Sequence, residues 1–364
     1  MVTTHDAAYW LALLNTNQVK RQTAKRVIHR WCVVDGQPLA ALFDLGAAEA
    51  AERLDLSHAE AAQVLAAGPD VAAQRAVVGR LAARGTGIIT RVDAAYPDLL
   101  TERLPEERLP YYLLYAGDLD NLTQPGVAVL GAAQPSQAAQ TLVGGMASAL
   151  AEEGHLLVGG YDRGVDRQAL DDARDAGAAV TLVLPAGMET MGAVLQRLFP
   201  RGRADRVLAL SPYAPSTPYS DALAATRMCL IGALAEVLVL VAPDQGPDRL
   251  ADLRDLFASS ATAPSRRALA WAGDRGEATR AWVDAGAQLF DGAEAGVAHV
   301  LARFGAVDVH APAGVGVDDL AGVEPIVFHD ADSAIEALGQ SGRVPDALAR
   351  RLREAKWDDD WYDE

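Results

Sequence analysis

The sequence predicts an α/β protein: a doubly wound, mostly parallel sheet preceded by a small all-helical domain. Three features carry the prediction. From Val127 onward, short apolar runs such as Val127-Ala-Val-Leu130 and Val237-Leu-Val-Leu-Val241 alternate with helical patterns, the order that builds a parallel sheet. These runs are continuously apolar, as strands buried on both faces must be. Before residue 84 the spacing is helical throughout.

Composition narrows the class. Half of the 364 residues are hydrophobic but only 6% are aromatic, so the core is built largely from Ala, Val and Leu. A formal charge of −17 argues against a broadly basic surface and against non-specific adhesion to nucleic acid or anionic membrane, while leaving room for a local basic pocket. Cys32 and Cys229 are far apart, with no metal-ligand spacing around either, and the seven histidines are scattered. The expectation is a cytoplasmic protein with reduced thiols and neither metal nor cofactor. Its N-terminus lacks a signal pattern, and no apolar run reaches the roughly 20 residues of a membrane span.

Taken in order, Tyr9, Trp10, Leu13 and Leu14 have helical spacing that Asn15-Thr-Asn17 interrupts. A helix from Val19 to Trp31 carries Lys20, Arg21, Lys25, Arg26 and Arg30 with no acid among them. Two readings stay open for it: a solvated face, or a contact to a phosphate backbone. Helices follow at Leu39–Leu45, Ala47–Leu54 and His58–Ala67, then a longer one to Arg84. Ile88–Thr90 reads as a strand, and Pro105 and Pro110 mark an extended linker. Strands are expected at Val127–Leu130, Leu156–Val158, Val180–Leu184, Arg206–Ser211, Val237–Val241, Arg267–Trp271 and Gln288–Phe290, with one helix spanning Leu223–Leu234. The expected divisions are 1–86 (helical domain), 87–125 (linker and lead-in), 126–305 (sheet domain) and 306–364. That last stretch is read as a linker, a small appended segment and an acidic aromatic tail ending Lys356-Trp-Asp-Asp-Asp-Trp-Tyr-Asp-Glu364. The tail reads as solvated, or as a docking peptide that Trp357, Trp361 and Tyr362 would anchor.

The strongest local signal is Leu156-Leu-Val-Gly-Gly-Tyr-Asp-Arg-Gly-Val-Asp166: a strand, a glycine turn and a helix start. Unpaired N–H groups and the helix dipole then point one way, which suits an anion. Arg163 and Arg167 add positive charge, Gly164 relaxes the chain, and Asp166 is placed to cap the helix. Ligands of such sheets lie beyond the strands' carboxyl ends, here at Gly131, Gly159-Gly160, Pro185-Ala-Gly187, Ser211 and Ala242.

Between Ile89 and Phe290 several motifs stand in order. They are Tyr96-Pro-Asp-Leu-Leu100, Leu109-Pro-Tyr-Tyr-Leu-Leu-Tyr-Ala-Gly117, Gly160-Tyr-Asp-Arg-Gly-Val-Asp166 with Ala169, Val183-Leu-Pro-Ala-Gly187, Leu210-Ser-Pro-Tyr-Ala-Pro215 and Arg227 ahead of Leu234. Together they resemble the DNA-processing protein A (DprA, or Smf) family. The resemblance implies a Rossmann-like domain, often behind a small helical one, that binds single-stranded DNA and helps load a recombinase; it also implies a homodimer. On that reading Gly131, Gly160, Arg163, Gly164, Arg167, Ser211 and Arg227 would meet phosphates, and Tyr161 or Tyr213 would stack bases. The chain departs from the family pattern at Gly131-Ala132-Ala133 (for Gly-Ser-Arg), Gly159 (for Ser), Leu170 (for His), Met228 and Cys229 (for Asn and Arg), and Ala242 (for an acid).

The expected function is therefore non-catalytic binding of single-stranded DNA in DNA processing or recombination. Two alternatives remain: a small-nucleotide sensor of the same fold group, and an adaptor with a vestigial pocket. A nucleotide hydrolase fits poorly, because Pro185-Ala-Gly187 and Ala242-Pro-Asp-Gln-Gly246 lack the Gly-Thr and Glu such enzymes carry, and a dinucleotide oxidoreductase lacks its glycine fingerprint.

Overall fold

The apolar runs set the middle of the molecule. The computed structural model describes residues 4–68, 70–199, 206–244, 250–259 and 267–305. The strands are β1 (Thr86–Thr90), β2 (Tyr112–Gly117), β3 (Gly126–Gly131), β4 (Leu157–Gly159), β5 (Val180–Val183), β6 (Val207–Ser211), β7 (Ala235–Val241), β8 (Arg267–Trp271) and β9 (Gln288–Phe290). They form one sheet in the order β1-β2-β6-β5-β4-β3-β7-β8-β9. From β6 to β9 every neighbouring pair is parallel. The parallel part of the sheet starts at its central strand β3, works outward through β4, β5 and β6, then returns to the other side of β3 for β7, β8 and β9. Strand order thus reverses at β3, and the crevice that such a reversal opens lies beyond Gly131. Val239 on β7 is fully buried and Val129 opposite it on β3 nearly so, as a doubly covered sheet requires.

Six helices precede the sheet: α1 (Thr4–Asn15), α2 (Arg21–Ile28), α3 (Leu39–Leu42), α4 (Ala47–Leu54), α5 (His58–Leu65) and α6 (Asp70–Ala82). Their core gathers Trp10, Leu13, Ile28, Trp31, Leu42 and Val64. Ser57 and Glu60 close a reciprocal capping box at the start of α5. Helix α2 runs on into a wider π-helical stretch, His29–Val34.

Residues 87–125, expected as a linker and lead-in with a strand at Ile88–Thr90, hold most of β1 and all of β2, which extend the sheet antiparallel from β6. Two tyrosines join this segment to the helices. Tyr111 packs into the helical core, and the Tyr112 hydroxyl donates to Asn15 Oδ1 at 3.1 Å. Helix α7 (Asp98–Arg103) ties it to the sheet. Arg103 donates to the carbonyls of Ala233 and Ala235 and pairs with Glu236 at 2.7 Å. The remaining helices are α8 (Gln137–Glu152), α9 (Val165–Asp175), α10 (Gly192–Leu198), α11 (Asp221–Thr226), α12 (Met228–Leu234), α13 (Ala251–Ser259), α14 (Glu277–Asp284) and α15 (Gly292–Gly305). The single helix expected over Leu223–Leu234 is two, parted at Arg227. The C-terminal elements and acidic tail expected after residue 305 lie outside the described residues. No helix among the described residues is long and apolar enough to cross a membrane.

Glu236 is a buried carboxylate on β7, held by Arg103 and by Arg303, whose Nε lies 2.9 Å from it. Removing one member of such a group strands the opposite charges in a poor solvent. Glu236→Ala is therefore expected to lower stability by about 3–5 kcal/mol. Urea unfolding followed by tryptophan fluorescence checks this, and a loss under about 1 kcal/mol, the worth of a surface pair, would refute it.

Candidate functional site

Three loops meet above the carboxyl end of β3. They are Gly131–Ala133 after β3, Gly160–Gly164 after β4, and Ala242–Asp244 after β7. Between them lies a cleft of about 320 Å³, walled also by Tyr219, Met228 and Trp282. Two loop residues without the freedom of glycine, Tyr161 (φ 60°) and Ala242 (φ 48°), hold left-handed backbone. Each such residue costs of order 1–3 kcal/mol, so the surrounding packing must enforce it.

What enforces the turn after β4 is a buried charge cluster. The Arg227 side chain is fully enclosed. Its Nη1 donates to the carbonyls of Gly160 and Val183, and its Nη2 lies 2.6 Å from Asp162 Oδ2. A Cβ on residue 160 would fall 2.4 Å from that Nη1, so only glycine fits. Asp166 reaches back to accept the Gly160 N–H at 3.0 Å and the Asp162 N–H at 3.3 Å. It therefore ties down the turn and does not cap its own helix, whose N-cap is Gly164. Burial, reinforced by the neighbouring Asp162, pushes the Asp166 carboxyl up to about 7 against the opposing pull of Arg227. Gly164 (φ 96°) sits where a Cβ would meet the Ala132 carbonyl at 2.1 Å, which lets the Val165 N–H bond that carbonyl and lock two of the three loops together.

The cleft brings together only part of the expected set. Gly131 and Arg163 line it, with Gly160 and Gly164 shaping the turn behind them. Arg163 is exposed and has no ion pair among the described residues. The other three expected contacts face elsewhere. Arg227 is enclosed as described. Ser211 is wholly buried, its hydroxyl donating to the Ala186 carbonyl at 2.8 Å and accepting the Tyr213 N–H at 3.3 Å. Arg167 lies over the Tyr161 ring, 4.9 Å from its centroid, and donates to the Tyr161 carbonyl. Tyr161 in turn is buried, with its hydroxyl on Asp171, so its faces are not open to a base. The sequence reading missed Asp244. Its carboxylate accepts the Ala133 N–H at 3.1 Å, the very donor that the glycine loop after β3 would offer an anion. The acid absent at Ala242 returns two residues on, after a left-handed turn.

The expected basic helix borders a second hollow of about 610 Å³, with Arg21, Lys25 and Arg26 on one wall and Pro212 and Tyr213 on the other. Lys25 donates to the carbonyls of Glu107 and Leu109, and burial lowers its pKa. Arg26 pairs with Glu60 at 3.3 Å and Arg30 with Asp35 at 3.2 Å. Lys20 and Arg21 are exposed and have no ion pair among the described residues. Cys32 and Cys229 are buried free thiols.

The family model described as DNA recombination-mediator protein A matches residues 87–254, beginning at β1. The X-ray structure of DNA processing protein A from Streptococcus pneumoniae is similar in fold, with 18% identity, 82% of this chain and 98% of that chain covered, and a TM-score of 0.58. DNA processing protein A from Helicobacter pylori, described for its single-stranded DNA binding mode, shares 20% identity over 60% of this chain and 96% of its own, with a TM-score of 0.47. No curated protein sequence gives a significant match.

Asp166 makes the turn sensitive to pH. Its folded-state pKa, about 7, lies above the ordinary aspartate value of 3.8, so across that window the folded protein keeps a proton that the unfolded chain has lost. The stability it contributes is full below about pH 4 and is lost as pH rises through about 7. Asp166→Asn keeps an oxygen for the Gly160 N–H and removes the titration. Urea midpoints at several pH values check this: wild type is expected to lose stability relative to the variant between pH 4 and 7, and parallel profiles would contradict the assignment.

Proposed function

We propose that this chain, whose residues 87–254 belong to the DNA recombination-mediator protein A family, binds single-stranded DNA in DNA processing and does so at the cleft beyond β3. One observation carries the reading. At the point where strand order reverses, two glycine loops bolted together present an exposed and uncommitted arginine, Arg163, to the cleft. A phosphodiester there would pair with Arg163 and take the Ala133 N–H from Asp244. Tyr219, exposed on the cleft wall, offers a surface for a base. We read the activity as binding without chemistry. Asp162 faces Arg227 and Asp166 holds backbone N–H groups, so both acids near the turn are engaged in structure. Action as a homodimer and transfer of the strand to a recombinase belong to the same proposal and rest on family membership alone.

Arg227 supports this site from below. It shapes the turn that carries Arg163 and is not itself a phosphate ligand.

Fluorescence anisotropy of labelled oligo-dT over a salt series tests the proposal. Binding is expected to weaken with salt, and Arg163→Ala to lower affinity and reduce the log–log salt slope by about 0.7, the value for one phosphate contact on a single strand. Asp244→Asn removes the competing carboxylate and is expected to tighten binding severalfold. An affinity indifferent to both substitutions would place the strand elsewhere. Stronger binding of a mononucleotide than of the oligomer would replace this reading with nucleotide sensing.

A further inference from the structure

The hollow beside α2 concentrates positive charge in a chain of net charge −17. Arg21, Lys25, Arg26 and Arg108 line it against Glu106 and Glu107. Glu106 is already engaged, by Arg91 at 2.5 Å and by the Tyr111 hydroxyl. Arg21 has no ion pair among the described residues. The partners of Arg26 and Arg108, Glu60 and Asp252, are themselves exposed, and such pairs are weak enough to exchange for a phosphate. Between these charges the walls are apolar or aromatic: Leu109, Pro110, Pro212, Tyr213 and Leu230. A rim of guanidinium groups around an apolar interior with Tyr213 in its wall suits a chain that carries phosphates on one side and unpaired bases on the other. It does not suit a duplex, whose bases are hidden in the stack.

Two stretches of chain border both the hollow and the cleft. The segment after β6 begins at Pro212 and Tyr213 in the hollow and reaches Tyr219 in the cleft. Residues 224–230 separate the two, with Ala224 and Met228 facing the cleft and Thr226 and Leu230 facing the hollow. The partition is the broken helix that pivots on Arg227.

We propose that the hollow beside α2 is a second subsite for single-stranded nucleic acid, and that a strand held at Arg163 continues past Tyr213 to lay its backbone against Arg21 and Arg26. This extends the function proposed above and rests on it. The N-terminal helices then act as one wall of the binding path, and affinity grows with the length of the strand.

Two labelled probes test it in the full-length protein: oligo-dT of about 6 nucleotides, near the short end of the roughly 4–16 nucleotides that single-strand grooves of other proteins cover, and of about 25, beyond its long end. Arg21→Glu is expected to weaken the long probe about tenfold and flatten its salt dependence, while the short probe changes less than twofold. Arg163→Ala is expected to weaken both. If Arg21→Glu leaves the long probe unchanged while Arg163→Ala weakens both, the second subsite is refuted and the cleft stands. If neither probe binds wild type, the cleft reading fails and takes this one with it. Duplex of equal length bound as tightly, and with the same dependence on Arg21, would also overturn the proposal, since the occupant would not be a single strand. Circular dichroism of Arg21→Glu guards against misfolding, for which the exposed position gives no cause.

Discussion

A guanidinium enclosed by protein governs the geometry of this molecule. Arg227 gives Nη1 to two backbone carbonyls and sets Nη2 against Asp162, with no exposure to water. An ion in that position must be met by partners in fixed places, because desolvation removes the alternative of water. Much of the local architecture follows. Residue 160 must lack a side chain. The helix that packs over the central strands β3, β4 and β7 breaks where the arginine leaves it, giving α11 and α12. Asp162 is drawn inward, and its neighbour Arg163 is turned out to the cleft. A charge that no ligand can reach thereby positions the one that a ligand can.

The same cluster reinterprets the departures from the family pattern. Leu170 and Met228 fill apolar space around the turn, and Met228 also walls the cleft. Cys229 accepts from Arg108 at 2.7 Å and so supports one of the cations beside α2. The Ala133 N–H is satisfied by Asp244. The cleft thus carries fewer polar side chains than the family signature implies, and its Ala133 N–H is held by the Asp244 carboxylate.

Much of the fold was legible in the sequence because it rests on short-range pattern. Val237–Val241 could only be a strand covered on both faces, and Ala47–Leu54 matches its helix residue for residue. What was hidden depends on contacts distant along the chain. Leu113-Leu114-Tyr115 follows two prolines and carries no turn signal of its own, so its place beside β6 becomes evident only from the pairing of Leu114 with Ser211. Arg227 bonds carbonyls 67 and 44 residues away, and nothing in its neighbours marks it as buried. Ser211 was correctly placed at a strand end, but its hydroxyl turns inward to the loop after β5. Asp244 escaped notice because the left-handed turn at Ala242 moves the acid two positions from where alignment by motif would seek it. The glycine turn itself was read correctly as a turn; that its glycines make room for an arginine, as much as for a ligand, required the structure.

The dependence of the turn on Arg227 can be measured directly by amide hydrogen exchange in wild type and in Arg227→Met, which replaces the charge with an apolar chain of similar length. The account predicts that the Gly160 and Asp162 amides lose protection at least about tenfold, the effect of about 1.4 kcal/mol, while amides of β7 keep theirs and show that the sheet is intact. Unchanged protection at Gly160 and Asp162 would contradict it, because the turn would then hold its shape without the buried charge.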